Sequence, residues 1–166
     1  MNSLAPSIRA NSVLIVALVC VTFLSVQRHG GLFIVLVAPP ILLYKLVQLL
    51  RHWKSVPQRR AHLVALAIVA TASLIVLSVH SHLHNASRAQ ADQVAQSIEH
   101  FQAARGHYPA SLSEVGLDSA AFRRDLMLSY SSSHGDDPVL FYAATFVPFD
   151  TWQYNFLARE WIYDPS

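Results

Sequence analysis

No acidic residue occurs before Asp92. The first 91 residues carry eight Lys or Arg and no Asp or Glu, and all ten acids follow. Charged residues make up 13% of the chain, against roughly 25% in an ordinary soluble domain. The first half is therefore excluded as an ordinary water-facing domain. Its basic residues are set between apolar runs, a pattern of membrane orientation and not of nucleic-acid binding. Cys20 is the only cysteine and sits inside an apolar run, so the region after it can contain no internal disulfide. The apolar runs hold no Asp, Glu or Arg, and so lack the groups from which proton relays and ion pathways are usually built. Gly-x-Ser-x-Gly and His-Glu-x-x-His are both absent, and no nucleophile constellation stands in for them, so an enzyme is not expected. No cofactor is expected either.

What is present is apolar length. The runs are Val13 to Val26, Leu32 to Leu50 and His62 to Val79. A spanning helix needs about 20 residues at a rise of roughly 1.5 Å each. The second and third runs reach that length; the first reaches it by including Ile8 to Ser12. The expected spans are 9–27, 32–50 and 62–81, within a transmembrane domain over 1–82. The exit of the first run, Ser25-Val26-Gln27-Arg28-His29, has no small-x-small cleavage site, so this run reads as a retained anchor. Lys45, Arg51, Lys54, Arg59 and Arg60 concentrate positive charge between the second and third runs. That loop is expected in the cytoplasm together with Arg9 and the N-terminus, and everything after His80 outside. Tyr44 and Trp53 fit interfacial anchors, and Lys45 can snorkel beside them. Pro39-Pro40 predicts a kink in the second span. Small residues at Ala61, Ala65, Ala67 and Thr71 allow close helix packing, in a three-helix bundle or a homo-oligomer.

The remaining residues, 83–166, read as a small α+β domain. From His84 to Arg105 there is no Pro or Gly. Ala91, Val94, Ile98 and Phe101 recur at helical spacing with Ala95 beside them, while Asp92, Gln96, Glu99 and Gln102 occupy the other side. Gly106 is a natural stop. One helix from about His62 to Arg105 is predicted. Ser111 and Glu114 have the spacing of a capping box, and Asp118-Ser119-Ala120-Ala121 can open a second turn. The pattern then changes to period two. Strands are predicted at Leu126 to Ser131, Val139 to Val147, through Trp152, Tyr154 and Phe156, and at Trp161 to Tyr163, forming an antiparallel meander.

An amphipathic continuation of a membrane helix, then Gly106-His107-Tyr108-Pro109-Ala110-Ser111-Leu112, then a small antiparallel sheet, resembles the type IV pilins and type II secretion pseudopilins. The resemblance covers Ala86 to about Leu117, and the sheet in outline. It implies a pilin-like fold for the outer domain and a bacterial inner-membrane protein with its C-terminal domain in the periplasm. That family's processing site has no counterpart. Gly31 precedes Leu32-Phe33-Ile34-Val35-Leu36, with Leu36 where the family has Glu, and this run leads into the second span.

Three groups invite chemistry. His80 and His84 lie at i, i+4 and can hold Zn²⁺ if a third ligand arrives; polar interfacial residues are the simpler reading. Asp136-Asp137 after Gly135 reads as a solvated turn, and the resemblance implies calcium as the alternative. Residues 141–163 hold nine of the seventeen aromatics. Most belong in a core, and those left outward would form a contact patch. Trp152, Tyr154 and Trp161 are the residues expected to meet a protein partner. The expected function is non-catalytic binding in the periplasm, as an accessory subunit of an envelope secretion or pilus system. The alternative is an immunity protein neutralising a toxin that acts from the periplasm, where the acids after Asp92 would suit a basic toxin.

Overall fold

The computed structural model describes residues 12–133 and 137–165. Arg9, Gly135 and Asp136, and the start of the first predicted span, lie outside them. The chain divides into two compact units between Ser81 and His82.

The first unit is helical. Helix α1 is Ser12–Val26, α2 is Gly31–Arg51, and α3, Val56–Arg105, begins here. Helices α2 and α3 are long and apolar enough to cross a membrane; the described part of α1 is shorter. Ala65, Val69 and Val76 are buried on α3 and follow one face. Val69 and Val76 join Leu18 of α1 with Ile34 and Ala38 of α2 in a single apolar cluster. Leu43, Leu74 and Phe23 remain exposed. Water-exposed side chains of this size are costly at about 25 cal/mol per Å², whereas hydrocarbon around them removes that cost. Pro39 and Pro40 lie inside α2 and do not end it. At the far end of α2, Trp53 is exposed with the Arg59 guanidinium 5.4 Å from its ring centroid, and Lys45 Nζ stands 5.9 Å from the Tyr44 ring.

The α1–α2 turn is tight. Gly30 N–H donates to Gln27 O at 2.9 Å, and His29 adopts φ +67°. A Cβ on Gly30 would stand 2.2 Å from Leu24 O and 3.0 Å from Gln27 O, both backbone atoms that cannot swing away. The last carbonyls of a helix have no intrahelical partner. Ser25 O, in the final turn of α1, accepts from His80 Nε2 at 2.7 Å, and both residues are buried. A carbonyl is only an acceptor, so this bond puts a proton on Nε2.

The second unit packs a sheet on the later part of α3. Ala91, Val94, Ala95 and Ile98 are buried at the predicted helical spacing, and Phe101 is half-buried against His107. Gly106 ends the helix with φ +79° and donates to Gln102 O at 2.8 Å. A short 3-10 turn covers Leu112–Val115. The predicted capping box is not made: Glu114 accepts from Ala110 N–H, one residue before the Ser111 cap, at 3.1 Å, and the Ser111 hydroxyl turns to Ser113 at 2.7 Å. Helix α4, Ser119–Leu126, is capped by Asp118, which accepts from Ala120 N–H at 2.8 Å and Ala121 N–H at 3.3 Å.

Four antiparallel strands follow in the order β1-β2-β3-β4: Ser129–Ser133, Asp137–Ala143, Thr151–Asn155 and Glu160–Asp164. Two predicted boundaries are corrected. Leu126 belongs to α4, because Met127 takes φ +51° and ends the helix there. Strand β2 stops at Ala143, because the chain turns out to Phe149 and returns, with Ala144 N–H donating to Asp150 O at 2.8 Å. Leu140 and Tyr142 of β2, Tyr154 of β3 and Trp161 of β4 belong to the core against α3.

Replacing Gly30 with Ala forces the α1–α2 turn to shift. We expect a loss of about 1–3 kcal/mol, the usual cost of inserting a methyl into packed structure. Thermal unfolding of the full-length protein in detergent will read it as a lowered midpoint. An unchanged midpoint would contradict the close approach at Gly30.

Candidate functional site

The carboxylates of α3 order the aromatic side of the second unit. Asp92 and Glu99 are seven residues apart, so they project from nearly the same side of the helix. They meet Trp161 and Tyr154, which are directly opposed across β3 and β4. Trp161 Nε1 donates to Asp92 Oδ1 at 2.7 Å, and Tyr154 OH donates to Glu99 Oε1 at 2.8 Å. Arg88, one turn before Asp92, pairs with the same carboxylate oxygen at 3.2 Å. Its guanidinium stands 5.3 Å from the Trp161 ring and 5.8 Å from the Trp152 ring. Arg159 approaches Glu99 at 3.7 Å. A hydrogen bond to a charged acceptor contributes about 1.5–3 kcal/mol, whereas a half-exposed ion pair contributes roughly 0–1. The indole and phenol bonds therefore dominate, and the arginines add alignment.

Aromatic rings extend this order along the sheet. Trp161 meets Tyr142 edge-on at 4.9 Å and Tyr154 at 5.0 Å, and Tyr154 meets Phe156 at 4.8 Å. Trp152 lies between His84 at 5.4 Å and its cross-strand partner Tyr163 at 5.1 Å. Each such pair contributes about 0.5–1.5 kcal/mol beyond simple burial. The Tyr163 hydroxyl donates to the Asp150 carboxylate, and that bond, with some burial, raises the Tyr163 pKa. Tyr142 is fully buried, and burial raises its pKa; the Arg88 guanidinium acts on it in the opposite sense without a hydrogen bond of acceptable geometry.

The three residues expected to contact a partner sit differently. Trp161 is only 7% exposed, its one polar atom is committed to Asp92, and it packs in the core. Trp152 and Tyr154 are half-buried. The exposed apolar side chains are others, chiefly Leu157 at 97% and Phe149 at 84%. A cavity of about 550 Å³ runs beside Tyr154, lined also by Tyr108, Asn155, Leu157, Ile162 and Asp164. Sequence reasoning assigned Asp92 and Glu99 to the solvent side and did not single out Arg88. The available signal was the seven-residue spacing of the two acids along the border of the apolar stripe.

His80 is engaged with Ser25, and His84 packs on Trp152. Among the described residues no group of three or more His, Cys, Asp or Glu could hold a metal ion. In the first unit, an open apolar cavity of about 630 Å³ lies between α1 and α3, lined by residues such as Leu18, Thr22, Ala67 and Thr71 and by no titratable group.

Burial, with the Glu99 bond behind it, pushes the Tyr154 pKa up to about 12, and burial does the same for Tyr130. A phenol whose folded pKa is raised stabilises the fold fully below its unfolded value near 10, and loses that contribution as pH rises through the folded value. Stability of the second unit is therefore expected to fall between about pH 10 and pH 12, and Tyr154→Phe should flatten part of that slope. Urea unfolding across this range checks it; a slope unchanged in Tyr154→Phe would contradict the assignment.

Comparison with protein families, with characterised proteins and with solved structures finds no match.

Proposed function

We propose that the protein is a multi-span inner-membrane protein whose C-terminal unit is a pilin-like, non-catalytic binding module in the periplasm. In this reading α1 also spans, the N-terminus is cytoplasmic, and the basic segment from Arg51 to Arg60 faces the cytoplasm. Two long apolar helices support the membrane placement, and the absence of acids before Asp92 supports the orientation. A helix capped at Gly106, followed by the Tyr108-Pro109 crossing and an antiparallel meander, supports the pilin-like module. Tyr130 OH bonds Pro109 O at 2.7 Å and so ties that crossing to the first strand.

The observation that carries the binding role is the cavity beside Tyr154. Leu157 is almost wholly exposed at its lip, and Asp164 is the only ionisable acid or base among its lining residues apart from tyrosines. Ten carboxylates stand against five arginines from His82 onward. An apolar anchor on an acidic unit fits a basic protein segment, and charge of this kind raises the association rate more than it raises affinity. An accessory subunit of a secretion or pilus system would use the surface in this way. An immunity protein facing a basic toxin would use the same chemistry.

The test is photocrosslinking in cells, with the reactive group at Leu157 of the full-length protein and mass spectrometry of the product. Capture of an envelope-machine subunit that is lost in Asp164→Lys supports the accessory role. Capture of a single secreted toxin supports the immunity role. Capture of lipid or of the protein itself alone contradicts both.

A further inference from the structure

The loop from Ala144 to Asp150 has an unusual construction. Its ends are buried: Ala144, Thr145 and Asp150 are 5%, 5% and 7% exposed. They are tied together by the Ala144 N–H bond to Asp150 O, and the Asp150 carboxylate accepts from Tyr163 OH. Between them run Phe146, Val147, Pro148 and Phe149, with no charged residue. Phe149 is 84% exposed at φ +75°. A bulky residue in the left-handed region is a conformational outlier. Core packing does not account for the conformation, because the side chain points away from the core. A held loop that presents an aromatic ring outward, at a conformational cost, is built to meet something apolar.

The position of the loop identifies what it meets. Trp152 follows Asp150 by two residues and packs on His84, and Arg88 stands over the same ring. Tyr163, which holds Asp150, is the cross-strand neighbour of Trp152. The Phe149 loop thus lies at the end of the second unit where α3 enters it, on the side of His84 and Arg88. Leu157 lies at the opposite end of β3, beyond Asn155. We infer that the Phe149 loop dips into the lipid interface beside α3, with Phe149 as an apolar wedge and Trp152 and Tyr163 at headgroup level. Aromatic rings with one polar edge favour that level. The acids at this end do not oppose it: Asp150 is turned inward onto Tyr163, and strand alternation places Asp164 on the face away from α3. The contact is apolar, so a zwitterionic bilayer suffices and anionic lipid adds little.

This inference rests on the proposed crossing of the membrane by α3, and the experiment separates the two. Single cysteines at Phe149, Leu157 and Leu74 are introduced into the full-length Cys20→Ser protein and labelled with an environment-sensitive fluorophore. Each is reconstituted in phosphatidylcholine vesicles with and without lipid carrying a nitroxide quencher. The label at 74 should be quenched, and the label at 149 should lose about twofold or more of its emission. The label at 157 should respond to aqueous iodide and not to the lipid quencher. If 149 behaves like 157 while 74 is quenched, the interfacial loop is wrong and the span stands. If 74 is not quenched, the span fails and the inference fails with it. Should Phe149→Cys not fold, a cysteine at Val147 reads the same loop with the same outcomes.

Discussion

The bond from the Trp161 indole to the Asp92 carboxylate is the contact on which the second unit depends. Sheets of four short strands are marginal alone and gain stability by covering one face. Here the cover is one helix whose buried stripe is Ala91, Val94, Ala95 and Ile98, mostly small side chains. Small residues let the sheet approach closely but supply little apolar area of their own. The large area comes from the sheet, as Tyr142, Tyr154 and Trp161. Those rings bring polar atoms with them, and a buried indole N–H without a partner costs about 1–3 kcal/mol. Asp92 and Glu99 accept from Trp161 and Tyr154, and Arg88 and Arg159 stand beside the two carboxylates. A core rich in aromatics thus requires acids on the helix that faces it.

The proposed crossing of a membrane by α3 accounts for the split in composition. A charge at the centre of a bilayer costs at least about 2.5–3.5 kcal/mol, and Asp92 is the first acid that α3 carries. Before it, polar needs are met with uncharged or basic groups. The open carbonyl at the end of α1 is answered by His80, and the positive charges gather between α2 and α3. From it onward come the carboxylates, which cap α4 at Asp118, hold a loop at Asp150 and orient the sheet at Asp92 and Glu99.

Much of this architecture is legible in the residues. The 3-4-3 spacing of Ala91, Val94, Ile98 and Phe101 gives the packed face of α3, Gly106 gives its end, and period-two aromatics give β3 and β4. Two kinds of feature are not legible. The end of α4 and the course of the β2–β3 loop depend on single φ values at Met127 and Phe149 that propensity does not report. The roles of Asp92, Glu99 and Trp161 depend on which strand residues lie opposite one another. Read along the helix alone, the two acids belong to the polar side, and Trp161 near the end of the chain looks available to a partner. The register that pairs Tyr154 with Trp161, above two acids seven residues apart, puts all four into one network. The large apolar side chains left exposed on the second unit include Leu157, Ile162 and Phe149.

The most direct measurement is a double-mutant cycle between Asp92→Asn and Trp161→Phe. It would be read as hydrogen-exchange protection of the Thr151–Asp164 amides in the full-length protein held in nanodiscs. The account predicts that each substitution weakens protection and that the two are not additive, with a coupling of about 1 kcal/mol or more. Simple additivity would mean that the indole and the carboxylate act independently, and would contradict the claim that this bond holds the sheet to its helix.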